Sequence, residues 1–365
     1  MPAEQLRLST FMMESKISRY GFIDAIRGIA ACLVLLQHSL YQSGLLGDWP
    51  GGELTGFIPN WLELGETGVV AFFLVSGFVI PLSLERTRDF GLFWIHRALR
   101  IYPLYVTVFI VTILVKEGGD IHSIRGWLFD GLSHIFFLQE YLRQENFVGG
   151  SWTLFLEMVW YIAISVLALI YLNKRPNVLV CLSLLISVLA QIACAFGHHV
   201  PMGRLSMLIC CVFGLVCYRR EQGDISDRNF FVLFGLLIFI IALNLFVGFK
   251  LFPSANPSVS FQTAIDSWAL AAVIFFIPFF MRQIALWDHS TLRFLGRISY
   301  SIYLLHGIIL MLLIRLHGFG LIVVAFAITL GLSTLSYRFI ELPPIRFGHS
   351  LKARSARFAS SRHGR

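Results

Sequence analysis

The sequence predicts an all-α, polytopic integral membrane protein with about ten transmembrane helices and both termini cytoplasmic. Three observations predict it. The 365 residues are 57% hydrophobic and 14% charged, with a mean hydropathy of +0.74, whereas soluble domains carry about a quarter charged residues. Mostly apolar runs, each near the roughly 20 residues a helix needs to cross a bilayer, recur from end to end. Lysine and arginine gather on alternate connections, as the positive-inside rule requires of cytoplasmic segments.

The predicted spans cover 22–41, 67–84, 101–116, 152–172, 178–196, 203–218, 229–248, 263–281, 298–315 and 318–340. The segment 124–139 is apolar on average but broken by Arg125, Asp130 and His134, so it reads as interfacial or re-entrant. With ten crossings and the N-terminus inside, the cytoplasmic segments hold 22 of the 29 basic residues, six lie outside and Arg27 lies within the first span. This divides the chain into a cytoplasmic segment 1–21, a membrane domain 22–341 and a basic cytoplasmic tail 342–365.

The net charge of +8 follows from that topology and the tail. It argues for contact with anionic membrane lipids and not for nucleic acid. Residues 1–20 run into the first span without a small-residue cleavage site, so the first helix is expected to remain in the mature protein. All six cysteines fall in predicted spans without metal-ligand spacing, so neither disulfides nor a metal site is expected.

The first span, "IDAIRGIAACLVLLQHS", carries Asp24, Arg27 and His38. Eleven residues turn a helix through about three turns plus 20°, so Arg27 and His38 leave one face roughly 16 Å apart. Asp24 precedes Arg27 by one turn and can pair with it. Charged groups at helix ends commonly snorkel, but three aligned polar groups in one span also suit a buried site.

The second span interrupts "VVAFFLVSGFVI" with Ser76 and Gly77, small residues that permit close helix packing. Next, "FWIHRALRIYPLY" sets Arg97 and Arg100 three apart on one helical face at the cytoplasmic mouth. Paired guanidiniums suit a phosphate, and they equally satisfy the positive-inside rule. "GGSWTLFLEMVWY" opens the fourth span, with Trp152, with Ser151 or Thr153 as a helix cap, and with Glu157 one turn inside. That carboxylate can orient an imidazole, bind a hydroxyl or simply complement the helix dipole.

In the ninth span "RISYSIYLLHGII" places Ser299, Tyr303 and His306 on one polar face. The tenth closes on "LSYRFIELPPIRFG", where Tyr337 and Glu341 lie one turn apart and read as a structural tie before Pro343 and Pro344 stop the helix.

These motifs, in this order along almost the whole chain, resemble the acyltransferase-3 family of integral membrane acyltransferases. The resemblance rests on "DAIRGIAACLVLLQH", "FFLVSGF", "RALRIYP", "SWTLFLE", "SYSIYLLH" and "SYRFIELP". It implies transfer of an acyl group, commonly acetyl, from cytoplasmic acyl-CoA (acetyl-CoA) to a glycan or lipid-linked sugar, hence O-acetylation of a polysaccharide at the bacterial inner membrane. It further implies that His38 is the catalytic histidine with Arg27 as its partner, that Glu157 occupies the family's acidic position, and that Arg97 and Arg100 contact the CoA donor. Thr153 departs from the more common serine but retains a hydroxyl.

Transfer from a thioester needs a base for the acceptor hydroxyl and positive charge near the developing oxyanion. A neutral imidazole, with its ordinary pKa of about 6.5, meets the first need. His38 either activates the acceptor or is transiently acylated. The competing class is a transporter with an Asp/Arg/His relay, against which stands the lack of paired broken spans in the two halves. Trp49, Trp61 and Trp127 in the predicted outer loops suit an interfacial belt or sugar stacking.

Overall fold

The protein is described by a computed structural model covering residues 20–45, 62–117, 131–253 and 259–351. Residues 1–19, the tail from 352 and the loop residues Trp49, Trp61 and Trp127 lie outside the described residues. No strand occurs among the described residues. The chain forms α1 (Gly21–Ser43), α2 (Leu64–Thr87), α3 (Phe90–Glu117), α4 (Ser151–Leu169), α5 (Pro176–Ala195), α6 (Met202–Gln222), α7 (Asp227–Phe246), α8 (Phe261–Phe280), α9 (Ser290–Leu312) and α10 (Gly318–Ser336). Among the described residues, ten helices are long and apolar enough to cross a membrane.

Hydrocarbon offers a backbone no hydrogen-bond partners, so each apolar run closes its own ladder as a helix. Local signals set the ends. Ser226 and Ser260 cap α7 and α8 by accepting from Asn229 N (3.3 Å) and Thr263 N (3.1 Å). Gly223 takes the left-handed conformation (φ 80°) that ends α6.

Lipid tails are as apolar as leucine, so contact between helices depends on close packing. Glycine supplies it at two crossings. A Cβ added to Gly77 of α2 would fall on the backbone of Cys211 in α6, and one added to Gly214 of α6 would fall on Leu74 O of α2. Likewise a Cβ at Gly296 of α9 would meet the Asp24 backbone of α1. The small residue in "VSGF" therefore packs two helices together, which leaves its neighbour Ser76 facing another way. Outward faces such as Leu185, Ile186 and Leu189 of α5 are exposed and apolar, suited to lipid.

Three boundaries differ from the sequence expectation. α3 starts at Phe90 instead of 101, because Asp89 Oδ1 accepts from Leu92 N (2.7 Å) and Pro103 is accommodated inside the helix. α9 starts at Ser290, eight residues early, where His289 accepts from Thr291 N. Pro343 and Pro344 do not stop the last helix. The chain passes from α10 into a π turn, Tyr337–Glu341, and stays helical to 351. The wider turn has already broken the α register where two residues without an N–H arrive.

Within 124–139, residues 131–135 make one short helical stretch and the chain then turns. His134 is buried there, 3.0 Å from the Tyr105 hydroxyl and 3.1 Å from the Glu145 carbonyl.

Candidate active site

α1, α2, α3, α4 and α9 enclose a cavity of about 220 Å³. Three guanidiniums line it: Arg27 from α1, and Arg97 and Arg100 from α3. The early start of α3 puts the last two inside that helix, which packs against α2 and α9. Arg97 is anchored. Its Nη2 donates to Ser83 Oγ (2.8 Å), and its guanidinium carbon lies 5.6 Å from the Phe93 ring centroid and 5.8 Å from that of Tyr161. Arg27 holds a loose ion pair with Asp24, 3.7 Å, at the predicted i,i+3 spacing. Arg100 forms no side-chain hydrogen bond or ion pair among the described residues.

One carboxylate, Glu157, faces these three cations in the cavity wall and accepts from the Tyr161 hydroxyl. The balance of the lining is positive, and donor forks of this kind suit a phosphate or carboxylate ligand. Val69, Phe72 and Phe73 supply an apolar wall beside them. Ser76 and Ser299 also line the cavity, although the Ser299 hydroxyl is committed to Gly296 O at 2.8 Å.

At the cavity margin Tyr303 Oη lies 2.9 Å from Thr153 Oγ1 and 3.2 Å from Gly150 O. Thr153 in turn donates to Gly150 O (2.7 Å). Neither Thr153 nor Ser151 caps α4. The capping position is Gly150 in the left-handed region (φ 76°), with no side-chain cap bond, because both hydroxyls have other partners. Ser151 Oγ accepts from Gln139 (2.6 Å) and donates to Asn146 (2.8 Å).

His38 does not line the cavity. It is exposed at the opposite end of α1 from Arg27. Its Nδ1 lies 2.9 Å from Val34 O, and since a carbonyl only accepts, Nδ1 carries the proton and Nε2 presents a free lone pair. The His306 ring, 5% exposed, lies 5.0 Å from the His38 ring and 5.8 Å from the Tyr303 ring. Tyr303 and His306 of α9 thus stand between the arginine cavity and His38.

The other predicted residues lie outside the cavity lining. Trp152 carries the Arg204 guanidinium 5.5 Å from its ring centroid. Tyr337 packs beside Ala31, Leu35, Ile298 and Ile302. Glu341 is fully buried and accepts from Ser301. Tyr337 and Glu341 form no bond with each other, so the tie runs from Glu341 to α9.

Sequence reasoning missed two carboxylates at the start of α2. Glu63 and Glu66 flank Gly65 in the sequence, and a Cβ added at Gly65 would lie 3.8 Å from the His38 ring. Glu63 accepts from Gln37 Nε2 (2.8 Å) and from Tyr41, and Glu66 accepts from Trp268 Nε1 (2.7 Å). Acidic residues at the N-cap and in the first turn of a helix look like ordinary dipole complements, and only the fold brings Trp268 from 202 residues away. Tyr161 and Tyr300 in the cavity were missed too, although Tyr161, one turn after Glu157, was visible in the spacing. No group of three metal-ligating side chains occurs among the described residues.

Comparison with known proteins adds an independent line. The acyltransferase-3 family model, an acyltransferase domain, matches residues 20–338. Nodulation protein 10 of Rhizobium leguminosarum bv. viciae is 25% identical over 360 residues, covering 91% of this chain and 95% of that protein. Acyltransferase MdmB of Streptomyces mycarofaciens is 26% identical over 156 residues, 41% of this chain and 39% of the relative. The provisionally named peptidoglycan O-acetyltransferase YrhL of Bacillus subtilis (strain 168) is 24% identical over 338 residues, 78% of this chain and 51% of that longer protein. No solved structure matches the chain.

Proposed function

The chain belongs to the acyltransferase-3 family and is a multi-pass membrane O-acyltransferase, and from that premise we propose that it transfers an acyl group, acetyl in the first instance, from cytoplasmic acyl-CoA to a sugar hydroxyl. The acceptor in this reading is a cell-surface or lipid-linked polysaccharide at the bacterial inner membrane. The observation that carries it is the convergence of Arg27, Arg97 and Arg100 on one cavity with an apolar wall. Phosphates of the donor dock on the guanidiniums, and the acyl-bearing arm runs past Thr153 and Tyr303 toward His38.

His38 Nε2 takes the acceptor hydroxyl proton as the oxygen attacks the thioester carbonyl. The carbon–sulfur bond then breaks and the CoA thiolate leaves, to be protonated on release. Hydroxyl donors on the path to His38, Tyr303 first among them, stabilise the oxyanion. Glu157 keeps Tyr161 and the arginine side of the cavity in register. Residues 22–341 make up the catalytic unit in this reading, with the basic tail resting on anionic lipid.

The test has two parts. Purified protein in liposomes, given acetyl-CoA and surface glycan, is expected to release free CoA, which a solute carrier would not do. In a deletion strain, mass spectrometry of surface and lipid-linked glycans should find an acyl increment with the wild type and none with His38→Ala at equal membrane expression. Identical glycans in the two strains would refute the role given to His38.

A further inference from the structure

Glu341 is 0% exposed and is carried by the π turn at the end of α10. Its Oε1 accepts from Ser301, which lies 3.3 Å from Ser336 Oγ. Its Oε2 is buried without a hydrogen-bond partner among the described residues. A carboxylate removed from water and held directly by one hydroxyl is costly unless cations compensate it. The cations within electrostatic range are Arg27 and Arg100, and neither makes an ion-pair contact with it.

The packing explains the placement. The π turn lies against α3 and α9. Ser301 directly follows Ser299 and Tyr300, which line the arginine cavity. Tyr300 donates to Ile101 O (2.8 Å), the residue after Arg100, and so binds α9 to α3 at this level. An inserted π residue rotates later positions by about 100° relative to an unbroken α-helix. Glu341 is therefore outside the cavity lining, on a turn packed against the two helices that supply Arg100 and Tyr300 to that lining.

We propose that Glu341 is the internal counter-charge of the arginine cavity, competing with the phosphates of acyl-CoA for Arg27 and Arg100. The inference rests on the donor reading above. It gives the protein a means of letting go: with Glu157 alone in the lining against three arginines the cavity stays net positive and would retain spent CoA, whereas a second, buried carboxylate helps recover Arg27 and Arg100 as the product leaves. Glu341 acts through the arginines and is a positioning residue, not a catalytic one.

The experiment is calorimetric titration of CoA, and separately of inorganic pyrophosphate, into the full-length protein in zwitterionic nanodiscs. Glu341→Gln removes the competing charge and is expected to tighten CoA binding about tenfold. Ser301→Ala keeps the charge but frees it to swing toward the arginines, and should weaken CoA binding about threefold. A merely structural lesion would weaken both, so the opposite signs are diagnostic.

Glu341→Gln protein that elutes as wild type and binds both probes no more tightly overturns the proposal. If that variant does not fold, Ser301→Ala decides: unchanged or tighter binding overturns it. The donor reading fails separately if an Arg97→Ala/Arg100→Ala variant binds CoA as well as the wild type. In that event the pyrophosphate titration still tests the counter-charge, since it needs only the guanidiniums.

Discussion

The two arginines of α3 face one cavity but are held differently, and replacing each with alanine should separate stability from ligand binding. Arg97 donates to Ser83 at 2.8 Å and lies over two aromatic rings. A hydrogen bond from a charged donor contributes about 1.5 kcal/mol and each cation–π contact about 0.5–1 kcal/mol, so Arg97→Ala should lower stability by about 3 kcal/mol. Arg100 has no such partner, and Arg100→Ala should change stability by no more than about 0.5 kcal/mol. For the ligand the two are more nearly equal. Loss of one guanidinium–phosphate contact, about 2 kcal/mol, weakens CoA binding about thirtyfold.

Urea or thermal unfolding in detergent, paired with CoA titration, measures both quantities on the same samples. Equal destabilisation by the two substitutions would refute the assignment of Arg97 as the anchored member. Unaltered CoA affinity in folded Arg100→Ala protein would refute the use of the cavity for the donor.

Three further outcomes are expected. Gly77→Ala should destabilise the protein although alanine is the better helix former by about 1 kcal/mol, because its methyl meets the Cys211 backbone. Gly235→Ala, with nothing within 4 Å of the added carbon, should instead be neutral or stabilising by up to about 1 kcal/mol; thermal unfolding of the two variants compares them directly. Tyr303→Phe leaves Thr153 bonded to Gly150, so stability should fall by only about 1 kcal/mol while turnover, read as CoA release with acceptor, falls about tenfold or more without loss of CoA affinity. Equal losses of turnover and CoA binding would place Tyr303 in the donor pocket instead of on the path to His38.

Hydropathy was sufficient for the ten spans, because a helix crossing lipid must be long and apolar whatever its neighbours. It failed where prolines stood near the ends. Pro103 sits inside α3 and Pro343 follows a π turn, and neither accommodation is encoded in a hydropathy run. Helical spacing reads Arg27 and His38 onto one face of α1. It did not say which neighbours each would meet: Arg27 met the arginines of α3, whereas His38 met His306 and the start of α2. Thr153 and Tyr303 come from segments 150 residues apart, and Glu66 with Trp268 from segments still further apart. Pairings at that range depend on which helices adjoin, and a single sequence does not supply them.

The bond from His38 Nδ1 to the Val34 carbonyl bears on the alternative that the sequence left open. A histidine in a proton wire must accept on one nitrogen and release from the other, and then reset by rotating or exchanging tautomers. This imidazole has one side tied to its own helix, so a proton gained at Nε2 departs from Nε2. Such a group suits a reaction that borrows a proton and returns it at the same mouth. It is poorly built to pass protons from one face of a membrane to the other.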